Sequence, residues 1–219
     1  VKKLALGTYD LKWYYTGLAT GASDNTASLG GTLSTSTITT GQDENVFDDV
    51  TGAESEAGES HYRAIGLCNT NTTYDYLNYI AWIEGYTRSG ETADTIAFAL
   101  ERGTINDNSI QVIVDELTAP DTTNFQYGAW NNFHQWVLEG APSNTIGAFA
   151  GNTLVGGAAN ENWIGIWLWR TIPAGASAFS NRDCTIKFRG ETTGSPRMII
   201  ERTWKVSFKS DGQISVFEL

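Results

Sequence analysis

The chain is poor in the residues from which catalytic and metal centres are most often built. Its 219 residues include two cysteines, two histidines and one methionine. Cys68 and Cys184 lie far apart, each in an apolar strand-like run, so a dense disulfide framework and a Cys-x-x-Cys motif are excluded. Two buried thiols or a single bridge between sheets both remain open. His61 and His134 are isolated, and there is no His-Glu-x-x-His, no Gly-x-Ser-x-Gly and no Walker loop. A lone histidine in such a chain reads as a packing or surface residue. Basic residues are scarce as well: 14 Lys and Arg face 25 Asp and Glu, a net charge of −11 that repels nucleic acid and anionic membranes. The longest uncharged passage, Gly140 to Asn160, is too rich in Gly, Asn, Ser and Thr to span a bilayer. The opening Val1-Lys2-Lys3-Leu4-Ala5-Leu6 meets Gly7 and Asp10 at once, so no signal peptide is read and a soluble protein made without export is expected.

What is abundant is aromatic and turn-forming. Aromatics reach 12% and glycines number 23, against four prolines, the profile of a turn-rich β protein. The stretch Trp163-Ile164-Gly165-Ile166-Trp167-Leu168-Trp169-Arg170 organises the rest. At period two it places three indoles on one face and three aliphatics on the other, a strand buried on both sides. Such a strand needs cover above and below, from a second sheet about 10 Å away or from a partner subunit. It stops at Thr171-Ile172-Pro173-Ala174-Gly175, with Pro173 suited to the second turn position and Gly175 to the fourth.

Further strands are read at 11–16, 32–40, 62–68, 76–83, 95–100, 110–114, 184–188, 198–208 and 214–217, with Asp211-Gly212 as a two-residue hairpin signal. In the aromatic-rich Phe125–Leu138, Trp130, Phe133 and Val137 suit one helical face whereas Gly128 and Asn131-Asn132 favour loop and strand; the total comes to about twelve strands and no clear helix. The expected fold is all-β, a β-sandwich of jelly-roll type over residues 1–194, with 195–219 as a C-terminal strand and hairpin extension for packing or assembly.

Charge is uneven. Residues 1–62 hold three bases and nine acids, whereas Arg182–Leu219 holds seven bases and five acids. Ends of opposite sign suit head-to-tail contacts, and solvated faces are the plainer reading. The acids Asp43, Glu44, Asp48, Asp49, Glu54, Glu56 and Glu59 lack the ligand spacing of a calcium loop, so a solvated loop is expected and no metal or cofactor is assigned. Glu84, Glu101, Asp115, Glu116, Glu139 and Glu161 offer carboxylates for glycoside hydrolysis in number, but nothing marks a pair. Arg63 and Arg170 follow apolar residues on interior strands, and a buried arginine needs a carboxylate or several carbonyls, so at least one is expected to pair with Asp48 or Asp49. Of the eight tryptophans, Trp82, Trp130, Trp136 and Trp163 are candidates for a glycan or partner contact, since exposed indoles stack on sugar rings.

Three segments together resemble a family of uncharacterised bacteriophage proteins regarded as virion structural components. The first is Ser28-Leu29-Gly30-Gly31 leading to Asn45-Val46-Phe47-Asp48-Asp49-Val50-Thr51-Gly52-Ala53-Glu54. The second is Gly58-Glu59-Ser60-His61-Tyr62-Arg63-Ala64-Ile65, ending at Cys68-Asn69. The third is Ile166-Trp167-Leu168-Trp169-Arg170-Thr171-Ile172-Pro173-Ala174-Gly175, continuing to Thr185–Gly190. Leu168-Trp169 departs from the family, which often has a longer basic or aliphatic residue there, and the tail after Gly194 is particular to this chain. The resemblance implies a non-enzymatic virion protein of decoration, cement or tail-accessory type. It would be assembled in the host bacterial cytoplasm and contact its own copies and other virion proteins, with no nucleic acid and no membrane. Terminal segments 4–16 and 198–219 suit addition to a neighbour's sheet. A carbohydrate-binding adhesin module of a phage tail is the alternative.

Overall fold

The computed structural model describes residues 10–17, 21–39, 44–86, 95–101, 109–125, 130, 162–176, 182–192, 199–208 and 214–218. Among them the chain is all-β. Its strands are β1 (Leu11–Gly17), β2 (Gly30–Thr37), β3 (Glu59–Asn69), β4 (Tyr76–Tyr86), β5 (Thr95–Glu101), β6 (Ser109–Val112), β7 (Trp163–Ile172), β8 (Arg182–Thr192), β9 (Ile199–Phe208) and β10 (Ile214–Glu218). They form two antiparallel sheets, a six-stranded one ordered β5-β7-β3-β1-β2-β6 and a four-stranded one ordered β10-β9-β8-β4. Each of these ten strands coincides with a segment that reads as β in the sequence. The readings at Phe125–Leu138, Gly140–Asn160 and Asp211-Gly212 lie largely or wholly outside the described residues.

The two faces of β7 divide as the alternation requires. Ile164, Ile166 and Leu168 join Ile65, Leu67, Phe98 and Leu100 in a core closed by Tyr79, Ala81, Ile186 and Phe188 of the four-stranded sheet. Trp13 meets Phe188 edge to face at 5.6 Å, which ties β1 to that sheet. The indoles of Trp163 and Trp167 face the other way, among Tyr14, Leu33, Ala99, Ile110, Ile113 and Phe125. Their cover is neither a second sheet nor a partner subunit. The six-stranded sheet curls until its own β2, its β6 and the segment after β6 lie across the indole face.

Two glycines permit that approach. Gly66 and Gly165 face each other across the β3–β7 ladder. A Cβ on Gly66 would stand 2.2 Å from Leu33 Cδ1, and one on Gly165 would stand 2.8 Å from Ile110 and 3.0 Å from the Glu101 carbonyl. The bare pair is therefore the notch into which Leu33 and Ile110 drop. Where β1 has left the edge of β3, the ladder is continued by loop backbone: Ala64 N–H donates to the Ser28 carbonyl and Tyr62 N–H to the Glu116 carbonyl, both at 2.8 Å. The buried edge of β3 thus stays satisfied.

The closed end is locked by one carboxylate. Glu101 is 5% exposed. It accepts from Trp167 Nε1, from Gln111 backbone N–H and from Gln111 Nε2, each at 2.7 Å, joining β5, β6 and β7.

Three details depart from the sequence reading. The acidic stretch contains a helix, α1 (Gly52–Ala57), started by a capping box in which Thr51 and Glu54 satisfy each other's backbone N–H. The turn after β7 runs from Pro173 to Ala176, whose N–H donates to the Pro173 carbonyl at 3.0 Å, so Pro173 is first and Gly175 third. Gly175 has φ 71°, the left-handed value that a type II turn demands at its third position. The C-terminal hairpin pairs Phe208 with Ile214, and β9 is also laddered to β8 from end to end. Removing residues 195–219 would therefore strip two strands from the four-stranded sheet.

Glu101→Ala should leave an indole N–H and a backbone N–H buried without an acceptor. We expect a loss of about 3 kcal/mol or more in urea denaturation. Glu101→Gln, which keeps an acceptor in place, should lose clearly less.

Candidate functional site

A gathering of charged side chains lies where β3 and β7 approach α1. His61 and Arg63 on β3 and Arg170 on β7 are 2%, 2% and 1% exposed. His61 sits opposite Arg170 in the ladder. All three point to the face that Phe47 covers: the guanidinium carbons of Arg170 and Arg63 stand 4.7 and 5.8 Å from its ring centroid. Burying two guanidinium groups side by side is costly unless acceptors surround them.

The acceptors come from three separate segments. Arg63 Nη2 binds Asp48 Oδ1 at 3.1 Å and Glu116 Oε2 at 2.5 Å, while its Nη1 donates to the Tyr62 carbonyl at 3.2 Å. Arg170 Nη1 donates to the Asp48 carbonyl at 3.1 Å, and its Nη2 contacts His61 Nδ1. Asp48 thus serves both arginines, one through its carboxylate and one through its backbone. The expected pairing of Arg63 or Arg170 with Asp48 or Asp49 resolves to Asp48 alone. Asp49 is exposed. Glu116, offered by the sequence only as one of six stray carboxylates, is the second partner of Arg63.

A guanidinium can only donate, so His61 Nδ1 accepts from Arg170 and the imidazole proton resides on Nε2. That Nε2 lies 3.5 Å from Glu59 Oε2 and 4.0 Å from Glu54 Oε1. Burial, and then the Arg170 charge, push the His61 pKa below its ordinary value, against the opposing pull of Glu116, Glu54 and Glu59. Burial raises the Glu54 carboxyl, but hydrogen bonds from Thr51 outweigh it and hold the group below the usual carboxylate range.

Glu54, Glu59 and His61 bring three ligand-type atoms within 4.8 Å of one another. The chemistry of the set does not suit a cation. A metal needs the Nε2 lone pair, which would put the imidazole proton on Nδ1 against the Arg170 guanidinium. Glu54 also caps α1, and the other acids of this region are divided among unrelated tasks: Asp48 serves the arginines, Glu56 and Asp49 are exposed, and Asp43 lies outside the described residues.

The carboxylates considered for hydrolysis are likewise separated. Glu101 is bound to Trp167 and Gln111, Glu116 to Arg63, and Asp115 accepts from Leu117 N–H and the Thr118 hydroxyl in an exposed turn. The side chains of Glu84, Glu139 and Glu161, and His134, lie outside the described set.

α1 is pinned in turn to the end of β7. Gly175 N–H donates to the Ser55 carbonyl at 2.9 Å and Ser55 Oγ to the Ala176 carbonyl at 2.8 Å. Charged groups, helix and turn form one clasp over this end of the sheet.

The tryptophans fall into different settings. Trp163 is 7% exposed and belongs to the indole-face core, which removes it from any surface contact. Trp82 is half-buried with Arg189 above its ring at 5.7 Å, and Trp136 lies outside the described residues. Trp130 is half-buried beside Trp169, ring centres 5.5 Å apart, with Tyr62 5.9 Å from each and Phe125 edge-on at 5.0 Å. Trp169 also donates from Nε1 to Ser60 Oγ at 3.1 Å. It went unmarked in sequence because its period-two position groups it with the buried Trp163 and Trp167. Cys68 is a free thiol on the indole side, away from the four-stranded sheet that carries Cys184, and burial pushes its pKa up to about 12. A bridge to Cys184 is therefore not formed.

Against known proteins, no family model, no curated protein and no solved structure matches this chain.

Two predictions follow from the clasp. Asp48→Ala should lose about 1 kcal/mol, because the Asp48 side chain is 49% exposed and screened. Asp48→Ala with Glu116→Ala strands a buried guanidinium and should lose about 3–5 kcal/mol, whereas Asp49→Ala should stay within about 0.5 kcal/mol, all read by chemical denaturation. The second concerns pH. Because the folded His61 pKa lies below the unfolded one, the unfolded chain binds the extra proton first. Stability is complete above about pH 6.5 and falls as pH drops from there toward the folded pKa. His61→Asn, whose side-chain oxygen still accepts from Arg170, should flatten that part of a melting-temperature profile.

Proposed function

We propose that the protein is a non-enzymatic structural component of a bacteriophage virion. In this reading it is a β-sandwich of jelly-roll type that acts as a decoration, cement or tail-accessory protein through contacts between copies and with other virion proteins. One observation carries it. The three segments that resemble phage virion proteins run on to residue 190, and their parts between residues 28 and 175 meet in the fold as one unit. Ser28 closes on Ala64, Asp48 holds Arg63 and Arg170, β3 pairs with β7 through ten residue pairs, and Ser55 ties Gly175. The residues behind the resemblance include those that hold the scaffold, and the buried His61, Arg63 and Arg170 among them contact one another or Asp48. That is the economy of a protein valued for its shape and its outer surfaces.

The carbohydrate-binding alternative draws on a specific feature, the half-buried pair Trp130 and Trp169 beside Tyr62. Indoles with one face at the surface are suited to sugar rings.

Purified particles of the phage that encodes the chain should contain it in many copies, counted by quantitative mass spectrometry. Particles without it would overturn the proposal. Binding of the isolated protein on a glycan array, lost in Trp130→Ala and kept in Trp82→Ala, would favour the alternative.

A further inference from the structure

His61 is 2% exposed, yet little separates it from water on one side. The side chains facing its Nε2 are Glu59 and Glu54, themselves 28% and 26% exposed. Glu54 belongs to α1, a helix of six residues none of which is buried. The attachments of α1 are few. Ser55 is bonded to the turn after β7 through its carbonyl and its hydroxyl, and Gly58 lies so close to Ala174 that a Cβ there would stand 2.6 Å from the Ala174 nitrogen. Glu54 divides its two oxygens, Oε2 accepting from Thr51 N–H at the helix cap and Oε1 facing His61. A segment that buries so little is the cheapest part of a fold to open.

One proton reverses the contact on the other side of the ring. Neutral His61 accepts at Nδ1 from Arg170, so a second proton has to go on Nδ1 itself. It then meets a guanidinium that only donates: two donors and two positive charges face each other away from water. The charged groups around the imidazole are Arg170 on β7, Glu59 on its own strand, Glu54 on α1 and Glu116 after β6. The three carboxylates favour the added charge and Arg170 opposes it. Glu59 and Glu54 stand on the Nε2 side, at 3.5 and 4.0 Å, and Glu116 is already paired with Arg63, so none of them relieves the clash at Nδ1. Relief requires the two bases to part. On the inner side the fully buried Phe47 ring lies 4.7 Å from the Arg170 guanidinium carbon, so the cover that gives way is α1.

We propose that His61 works an acid-operated latch: its protonation breaks the contact with Arg170 and parts α1 from the 173–176 turn, opening this end of the six-stranded sheet to water while both sheets stay paired. In the open form water reaches the imidazolium and the guanidinium, and Glu54 and Glu59 remain beside the imidazolium as counter-charges. A single proton drives the change. The sign follows from linkage: the closed form holds the proton less tightly than the open one, so opening is rarest above about pH 6.5 and grows by up to about tenfold for each pH unit below it, until the closed form is protonated too. The latch is a property of the clasp and stands independently of the virion reading.

Amide hydrogen exchange of the full-length chain, resolved by residue and corrected for the intrinsic pH dependence of exchange, tests it at about pH 7.5 and about pH 5.5. The amides of Ser55, Gly58 and Gly175, which donate to the Thr51, Glu54 and Ser55 carbonyls, should lose up to about tenfold in protection on going to the lower pH, while the β3–β7 ladder keeps its own. His61→Asn, which accepts from Arg170 but does not titrate, should show no such loss. Ser55→Ala, at a pin rather than at the sensor, should raise opening at both pH values and leave the response to pH intact. In the wild type the opening should follow the titration of the His61 ring observed by NMR, a measurement that needs no variant to fold. Protection indifferent to pH, an equal loss along the β3–β7 ladder, a response that persists in His61→Asn, or opening that tracks another group overturns the latch.

Discussion

Everything in this fold follows from having to seal both faces of the β3–β7 ladder. Ten residue pairs run side by side from Glu59 opposite Ile172 to Cys68 opposite Trp163, and nearly every residue of both strands is buried. A ladder in that position offers water neither face, so the chain must supply two covers of different make. On the aliphatic side the cover is a separate sheet, whose Tyr76, Tyr79 and Phe188 pack with isoleucines and leucines. On the indole side it is the same sheet bent back on itself, and the bend works only because Gly66 and Gly165 leave a notch where Leu33 and Ile110 can settle. The curl brings β6 over β7, and Glu101 then fastens it through Trp167 and Gln111. Sheet, notch and fastening depend on one another. A side chain in the notch or an orphaned indole N–H at the fastening attacks the same closure.

The charged clasp solves a second problem, the edge that β3 exposes once β1 has departed. Arg63 reaches outward to Asp48 on one side and Glu116 on the other, so one of the two loops that continue the ladder, the one carrying Glu116, is held by the strand it protects. Arg170, one strand over, takes the Asp48 carbonyl and leans on His61. A buried pair of this sort is poor evidence for extra stability, since well-packed apolar residues often do as well. What it supplies here is register. Only one placement of the 44–58 loop puts Phe47 across both guanidinium groups with Asp48 facing Arg63 and its carbonyl facing Arg170. His61 belongs to this arrangement as an acceptor, which keeps the imidazole neutral and gives the clasp its sensitivity to acid.

Much of this was legible in the sequence, and the failures are instructive. Ten segments that read as β are strands, most of them because they carry a strongly apolar face, β2 because Leu33 and Ile38 recur among threonines and serines without helical periodicity. Period-two alternation also separated the aliphatic from the indole face of β7. What it left open was the identity of the cover, because curling of a sheet depends on glycines opposite each other in two distant strands. Gly66 and Gly165 become meaningful only once the register is known. Helix α1 was missed although Thr51-Gly52-Ala53-Glu54 is a capping box; a six-residue helix has too little periodicity to stand out against an acidic loop. In the clasp, Arg63, Arg170 and Asp48 were found because a buried cation must be paired. Glu116 and His61 were not, since their partners lie 53 and 109 residues away and spacing carries no trace of such contacts.

The distribution of polar chemistry bears on what the molecule offers to others. The inward-facing carboxylates are committed within the chain, Glu101 to Trp167 and Gln111, and Asp48 and Glu116 to Arg63. Recognition then falls to groups at the ends of the sheets, where backbone hydrogen bonds run out and apolar side chains meet water. At the β6 end Val112, Val114 and Leu117 are exposed, and the two valines line a groove whose other walls are small or aliphatic, so apolar contact is what that end has to offer.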